Sequence, residues 1–147
     1  IDQNLISMTL ESPGADIVGF EHEARTAEEK TAVTEALKQL SNPMFVIQLP
    51  ESARCKVIQA SSEVTSKNGD DSHADHEDHN EHESEAHGSF IAEYQLECAN
   101  VAVIDFITFV YFGHFRSAQS LMVVLIDKNG QHRHKINRDI PILYLKK

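Results

Sequence analysis

Phe90-Ile91-Ala92-Glu93-Tyr94-Gln95-Leu96-Glu97-Cys98 places an apolar side chain at every second position, with glutamate and glutamine filling most of the places between. A period of two sends successive side chains to opposite faces, so one face meets a core and the other meets water. This is the pattern of a half-buried strand in an antiparallel sheet. Upstream, Cys55 to Val64 reads as its neighbour, with Val57, Ile58 and Val64 available for packing. Between the two runs, residues 65–89 hold no large apolar side chain and cannot build a core of their own. They form an insertion of about two dozen residues between adjacent strands, a length found in functional or disordered loops.

The insertion has a distinctive chemistry. Five of the nine histidines lie in it: His73, His76, His79, His82 and His87, the first four at every third residue. Asp75, Glu77, Asp78, Glu81, Glu83 and Glu85 fill the gaps. Neutral imidazole is the commonest side-chain ligand for zinc and also suits copper and nickel. Carboxylates complete a coordination shell or orient a ligating imidazole. A three-residue step lines the histidines along one side of a helix, or alternates them in an extended chain, so the tract supplies ligands without fixing a geometry. The alternative is a solvated acidic linker in which histidine is incidental.

Charge points the same way. The 147 residues carry −10, and residues 67–88, with eight acids and one lysine, account for −7 of it. The remaining −3 is unremarkable for one domain, and no basic stripe exists to neutralise phosphates, which argues against nucleic acid as a partner. A local acidic field favours cations. No apolar run is long enough for membrane insertion, and the sequence from Ile1 onward contains no signal peptide, so a processed or truncated N-terminus is expected.

Cys55 and Cys98 sit at the outer ends of the two strands that flank the insertion. A hairpin brings them side by side, and the expectation is a disulfide that closes the loop. Such a closure is worth roughly 4 kcal/mol in the chain-entropy picture. The alternative is two unrelated buried thiols. A disulfide implies an oxidising compartment, periplasmic or extracellular.

Elsewhere the chain reads as follows. Asp2-Gln3-Asn4 has turn chemistry and leads into a strand with Leu5, Ile6, Met8 and Leu10, so a pairing strand is expected before Ile1. Ser12-Pro13-Gly14 ends it, and Ile17, Val18 and Phe20 pack beyond. Thr26-Ala27-Glu28-Glu29 is a capping box opening a helix whose stripe is Val33, Ala36, Leu37 and Leu40, stopped by Asn42-Pro43. Glu28, Glu29, Lys30, Glu35 and Lys38 read as its solvated face. Met44 to Leu49 is a short extended piece. Ile104 to Phe112 reads as a central strand, with His114 in the bend after it. Leu121–Ile126 and Gln131–Asn137 flank a hairpin turn at Asn129-Gly130. His132 and His134 share one face of the second strand and can chelate a metal only with a third ligand. Ile140–Leu145 closes the chain, with Pro141 confined to an edge or a strand start. The fold class is α+β: one domain, 1–147, with about six to seven mostly antiparallel strands and one main helix.

The run Leu10-Glu11-Ser12-Pro13-Gly14-Ala15-Asp16-Ile17-Val18-Gly19-Phe20-Glu21-His22, followed by Thr26-Ala27-Glu28-Glu29-Lys30, a cysteine strand, a histidine/acid loop and a second cysteine strand, resembles the ZrgA family of Gram-negative periplasmic zinc-binding proteins. The resemblance spans nearly the whole chain, and its most specific part is Glu11-Ser12-Pro13 with Gly19-Phe20-Glu21-His22. It implies a secreted periplasmic protein that binds Zn²⁺ and supplies it to an import system. It maps the family's Glu-His onto Glu21-His22, its variable loop onto His73, His76, His79, His82 and His87, and its cysteines onto Cys55 and Cys98. Family members usually begin with a signal peptide and a histidine-bearing first strand, which this sequence lacks.

The reading is a non-enzymatic Zn²⁺ binder, with His22 a further ligand and His114, His132 and His134 weaker candidates. Affinity is expected to fall as pH drops through about 6 to 6.5, because imidazole must be neutral to bind. A hydrolytic zinc enzyme would want three ordered ligands and a general base, and no His-Glu-x-x-His is present. A Cu(II) or Ni(II) buffer or chaperone remains an alternative, since affinity order alone favours copper over zinc. A structural interaction module is the other.

Overall fold

Apolar side chains at Ile6, Met8 and Leu10 commit the first strand, β1 (Leu5–Pro13), to a sheet with one buried face. In the computed structural model, which describes residues 3–65 and 88–145, a short helix α1 (Gly14–Ile17) and the main helix α2 (Ala27–Leu40) follow. Two 3₁₀ turns (Pro43–Phe45 and Glu51–Ala53) lead to β2 (Cys55–Thr65) and β3 (Ser89–Cys98). A further 3₁₀ turn (Val101–Val103), β4 (Phe106–Thr108), α3 (Tyr111–His114), β5 (Ser120–Asp127), β6 (Gly130–Asn137) and β7 (Ile142–Tyr144) complete the order. Five strands form one antiparallel sheet in the order β2-β3-β1-β5-β6, and β4 pairs with β7 in a second.

Register explains the core. Met8 lies between Tyr94 and Leu125, and Leu10 between Ala92 and Val123, so the apolar alternation of three strands falls on one face. That face shares a single buried cluster with Ala36 and Leu40 of α2, Val46, Ile47, Ile107, Phe109, Tyr111, Phe112, Phe115 and Leu143. The opposite face carries Ser7, Thr9, Glu11, Glu93, Gln95 and Glu97 and meets water, as expected of an antiparallel sheet covered on one side. Side chains also tie the end of α2 to the sheet. The Ser62 hydroxyl donates to Leu37 O (2.6 Å) and the Tyr94 hydroxyl to Leu40 O. The Tyr94 bond satisfies a carbonyl at the helix C-terminus, and the Ser62 bond adds to the Ser41 N–H that Leu37 O already accepts.

The α+β class, the single main helix and the capping box at Thr26 and Glu29 are as expected. Four local readings are corrected. Ile104–Phe112 is not a central strand. Only Phe106–Thr108 is extended, and the backbone turns helical at Val110 so that Tyr111 and Phe112 both reach the core. A continuous apolar run does not distinguish strand from buried helix. Met44–Leu49 begins inside a 3₁₀ turn, capped by the Asn42 side chain, and only Gln48 makes a bridge, to Thr108. Val57, Ile58 and Val64 are 48%, 56% and 45% exposed, because β2 is an edge strand whose register shifts between Val57 and Gln59. A strand before Ile1 has no free edge of β1 to pair with, since β3 and β5 take both.

The hairpin at Asn129-Gly130 forms one residue early. Lys128 and Asn129 make the turn, Asp127 pairs with Gly130, and Gly130 adopts φ +126°. Pro141 stands just before β7, as its missing N–H requires, and its carbonyl accepts from Phe109 N (2.7 Å).

Candidate metal centre

Cys55 and Cys98 face each other across the β2–β3 ladder, 3.9 Å apart at Cα, and are joined by a disulfide. From there the ladder runs to Thr65 opposite Ser89, which closes the neck of the insertion. The five insertion histidines, His73, His76, His79, His82 and His87, and the acids between them lie outside the described residues.

The exit of the insertion is fixed. Gly88 N donates to Glu21 O (3.1 Å), and Gly88 O accepts from Gly14 N (2.8 Å). The approach requires glycine at position 14, where a Cβ would stand 2.6 Å from Phe20 O and 3.2 Å from Gly88 O. The residue after His87 is thereby bonded to the residue before His22. Asp16, on α1 beside this junction, has its carboxyl held above the usual range, first by burial and then by the Glu21 charge.

His22 sits on the loop between α1 and α2. Phe20 stacks on its ring, 4.7 Å between centroids and 26° between planes. His22 Nε2 lies 2.8 Å from Glu29 Oε1. The second oxygen of Glu29 accepts the backbone N–H groups of Arg25 (2.8 Å) and Thr26 (3.2 Å), while the Thr26 hydroxyl accepts from Glu29 N (3.1 Å). The Arg25 N–H above all, then the His22 and Thr26 bonds, draw the Glu29 carboxyl down to about 2. Glu29 is therefore ionised at neutral pH and faces His22 as an acceptor.

Glu29 was read from the sequence as part of a solvated helix face, and its partnership with His22 was missed. The signal lay in the capping box itself. A carboxylate at that position uses one oxygen for the cap and keeps the second for a residue on the preceding loop.

The other described histidines do not join this group. His114 ends α3 and meets Phe45 edge-on at 4.8 Å. His132 contacts Asp127 (Nε2–Oδ1 3.3 Å), and His134 lies two residues further along β6, opposite Val123. Among the described residues, no three His, Cys, Asp or Glu side chains are gathered in a way that could hold a metal ion. Among them also, no helix is long and apolar enough to cross a membrane.

The comparisons with known proteins accord with this chemistry. A family model described as ZrgA family zinc uptake protein matches residues 1–145. No curated protein sequence matches the chain.

Proposed function

Because the chain belongs to the ZrgA family of zinc uptake proteins, we propose that its insertion captures Zn²⁺ and that His22 is the scaffold ligand beside which the captured metal is held. His73, His76, His79, His82 and His87 are the capturing groups, and Asp75, Asp78 and their acidic neighbours concentrate the cation. Zinc is the cargo, and an import component in the same compartment is the recipient. Several exchangeable imidazole sites suit handing metal onward, whereas one closed four-ligand site would retain it.

The observation that carries the reading is the bridge from Gly88 to Gly14 and Glu21. It ties the histidine-rich insertion to the His22 loop at a fixed point, beside Asp16, whose carboxyl is held up first by burial and then by the Glu21 charge. The Cys55–Cys98 disulfide supports an oxidising location, periplasmic or secreted. A zinc uptake family is not an enzyme class, and the chemistry needed here is binding and release.

Zinc titration calorimetry at pH 7.4 tests this, comparing the full chain with one lacking residues 72–87. Several zinc ions bound by the intact protein, most of them lost on deletion, is the expected result. Unchanged binding after deletion would move the site wholly onto the scaffold. No binding by either form would end the metal reading for this chain.

A further inference from the structure

The His22 ring is held on two sides, by the Phe20 stack and by the bond to Glu29. Glu29 cannot turn away freely. Its Oε2 receives two backbone N–H groups, and its own N–H is bound by the Thr26 hydroxyl. An ionised carboxylate only accepts hydrogen bonds, so the single N–H of neutral imidazole belongs on Nε2. The lone pair is then on Nδ1, which makes no hydrogen bond among the described residues.

Resting on the zinc reading above, we infer that Glu29 is a positioning residue that fixes His22 in the Nε2–H tautomer, so that zinc is met by Nδ1. A ligating histidine that passes its other N–H to a carboxylate is held in orientation and made more basic toward the metal. Here the carboxylate is not a free side chain. It is the N3 residue of the α2 capping box, so the first turn of the helix sets the direction of the imidazole. The same carboxylate caps the helix and aims the ligand, and the two roles can be separated by substitution.

Glu29→Gln keeps the length and remains a capping-box residue. It has one oxygen for donors that the carboxylate serves with two. With that oxygen kept by the backbone N–H groups, the amide NH₂ faces His22 and donates, which moves the imidazole proton to Nδ1. Thr26→Ala removes the hydroxyl half of the cap and leaves Glu29 in place.

The experiment is a long-range ¹H–¹⁵N correlation of the histidine rings of the full chain at pH 8, without metal and during titration with ZnCl₂. Wild type and Thr26→Ala are expected to show protonated Nε2 and bare Nδ1 at His22, and zinc is expected to shift Nδ1. Glu29→Gln is expected to show the opposite tautomer and to need about ten- to a hundred-fold more free zinc for the His22 response. Bare Nε2 in metal-free wild type, or a zinc shift at Nε2, overturns the inference. So does a Glu29→Gln chain with wild-type zinc response. A correct tautomer with no zinc shift at either nitrogen instead removes His22 as a ligand and sinks the zinc reading of this loop.

Discussion

Reduction of the Cys55–Cys98 bond is expected to cost the fold roughly 4 kcal/mol. The two residues are 43 apart in sequence. Closing a loop of that size removes about 13 cal/mol/K from the unfolded chain in the entropy picture, which is about 4 kcal/mol at 25 °C. The whole fold of a domain this size is worth about 5–15 kcal/mol, so the share is large. β2 is an edge strand held by its ladder to β3 and by the Ser62 bond to α2, and Val57, Ile58 and Val64 leave much of their apolar surface in water. The clean comparison is oxidised against reduced wild type in urea, because both carry the same side chains and the buried Cys98 leaves no new cavity. With a urea slope of about 2 kcal/mol/M, the midpoint should fall by about 2 M. Amide exchange should rise first along Cys55–Thr65. A midpoint shift under about 0.5 M, with unchanged slope, would refute the reasoning and show that the sheet pairs β2 without the crosslink.

Three further outcomes are expected. Tyr111→Phe should destabilise by about 1–3 kcal/mol in thermal melts, because the buried Ser12 hydroxyl loses its 2.7 Å partner; adding Ser12→Ala should recover part of the loss. Arg138→Ala should cost about 2–3 kcal/mol by urea unfolding, and Arg138→Lys should not restore it: the guanidinium donates to the Phe115, Arg116 and Ala118 carbonyls and lies over Phe112. Asp127 is held below its ordinary 3.8, first by the Asn129 N–H and then by His132. A depressed carboxyl stabilises above its unfolded value and loses that contribution as pH falls through the folded one, so the advantage of wild type over Asp127→Asn should be full above about pH 5 and fade below 3.8.

The legible parts of this fold are those in which one local pattern has one physical solution. The alternation at Phe90–Cys98 became β3, the Thr26–Glu29 box became the start of α2, and two cysteines at matched strand ends became a disulfide. Order within the sheet was not legible. Nothing in Leu5–Pro13 says that its two neighbours are β3 and β5, because both partners lie far along the chain and both pairings depend on which apolar face closes the core. The Ile104–Phe112 run misled for a different reason: a nearly continuous apolar stretch carries no periodicity to separate strand from helix, although Phe106 within it stays 45% exposed. Exposure of Val57 and Ile58 follows from the edge position of β2, a property of the assembled sheet. At the candidate site, His22 was visible as a residue type in a motif, whereas its orientation depends on how the loop folds back to Glu29, seven residues on.

The placement of β1 constrains how the protein is made. It precedes both of its partners in the chain, yet its two edges are completed by β3 and, much later, by β5. The β2–β3 and β5–β6 pairs are each joined in sequence and can form as hairpins, but neither is a sheet with a core until β1 is seated between them. An emerging or partly exported chain therefore carries β1 as an open template, apolar on one face and unpaired along an edge, until residues 120–127 arrive. Closure of the second edge of that strand waits for β5, which marks the interval before β5 appears as the one in which a holding chaperone would matter most.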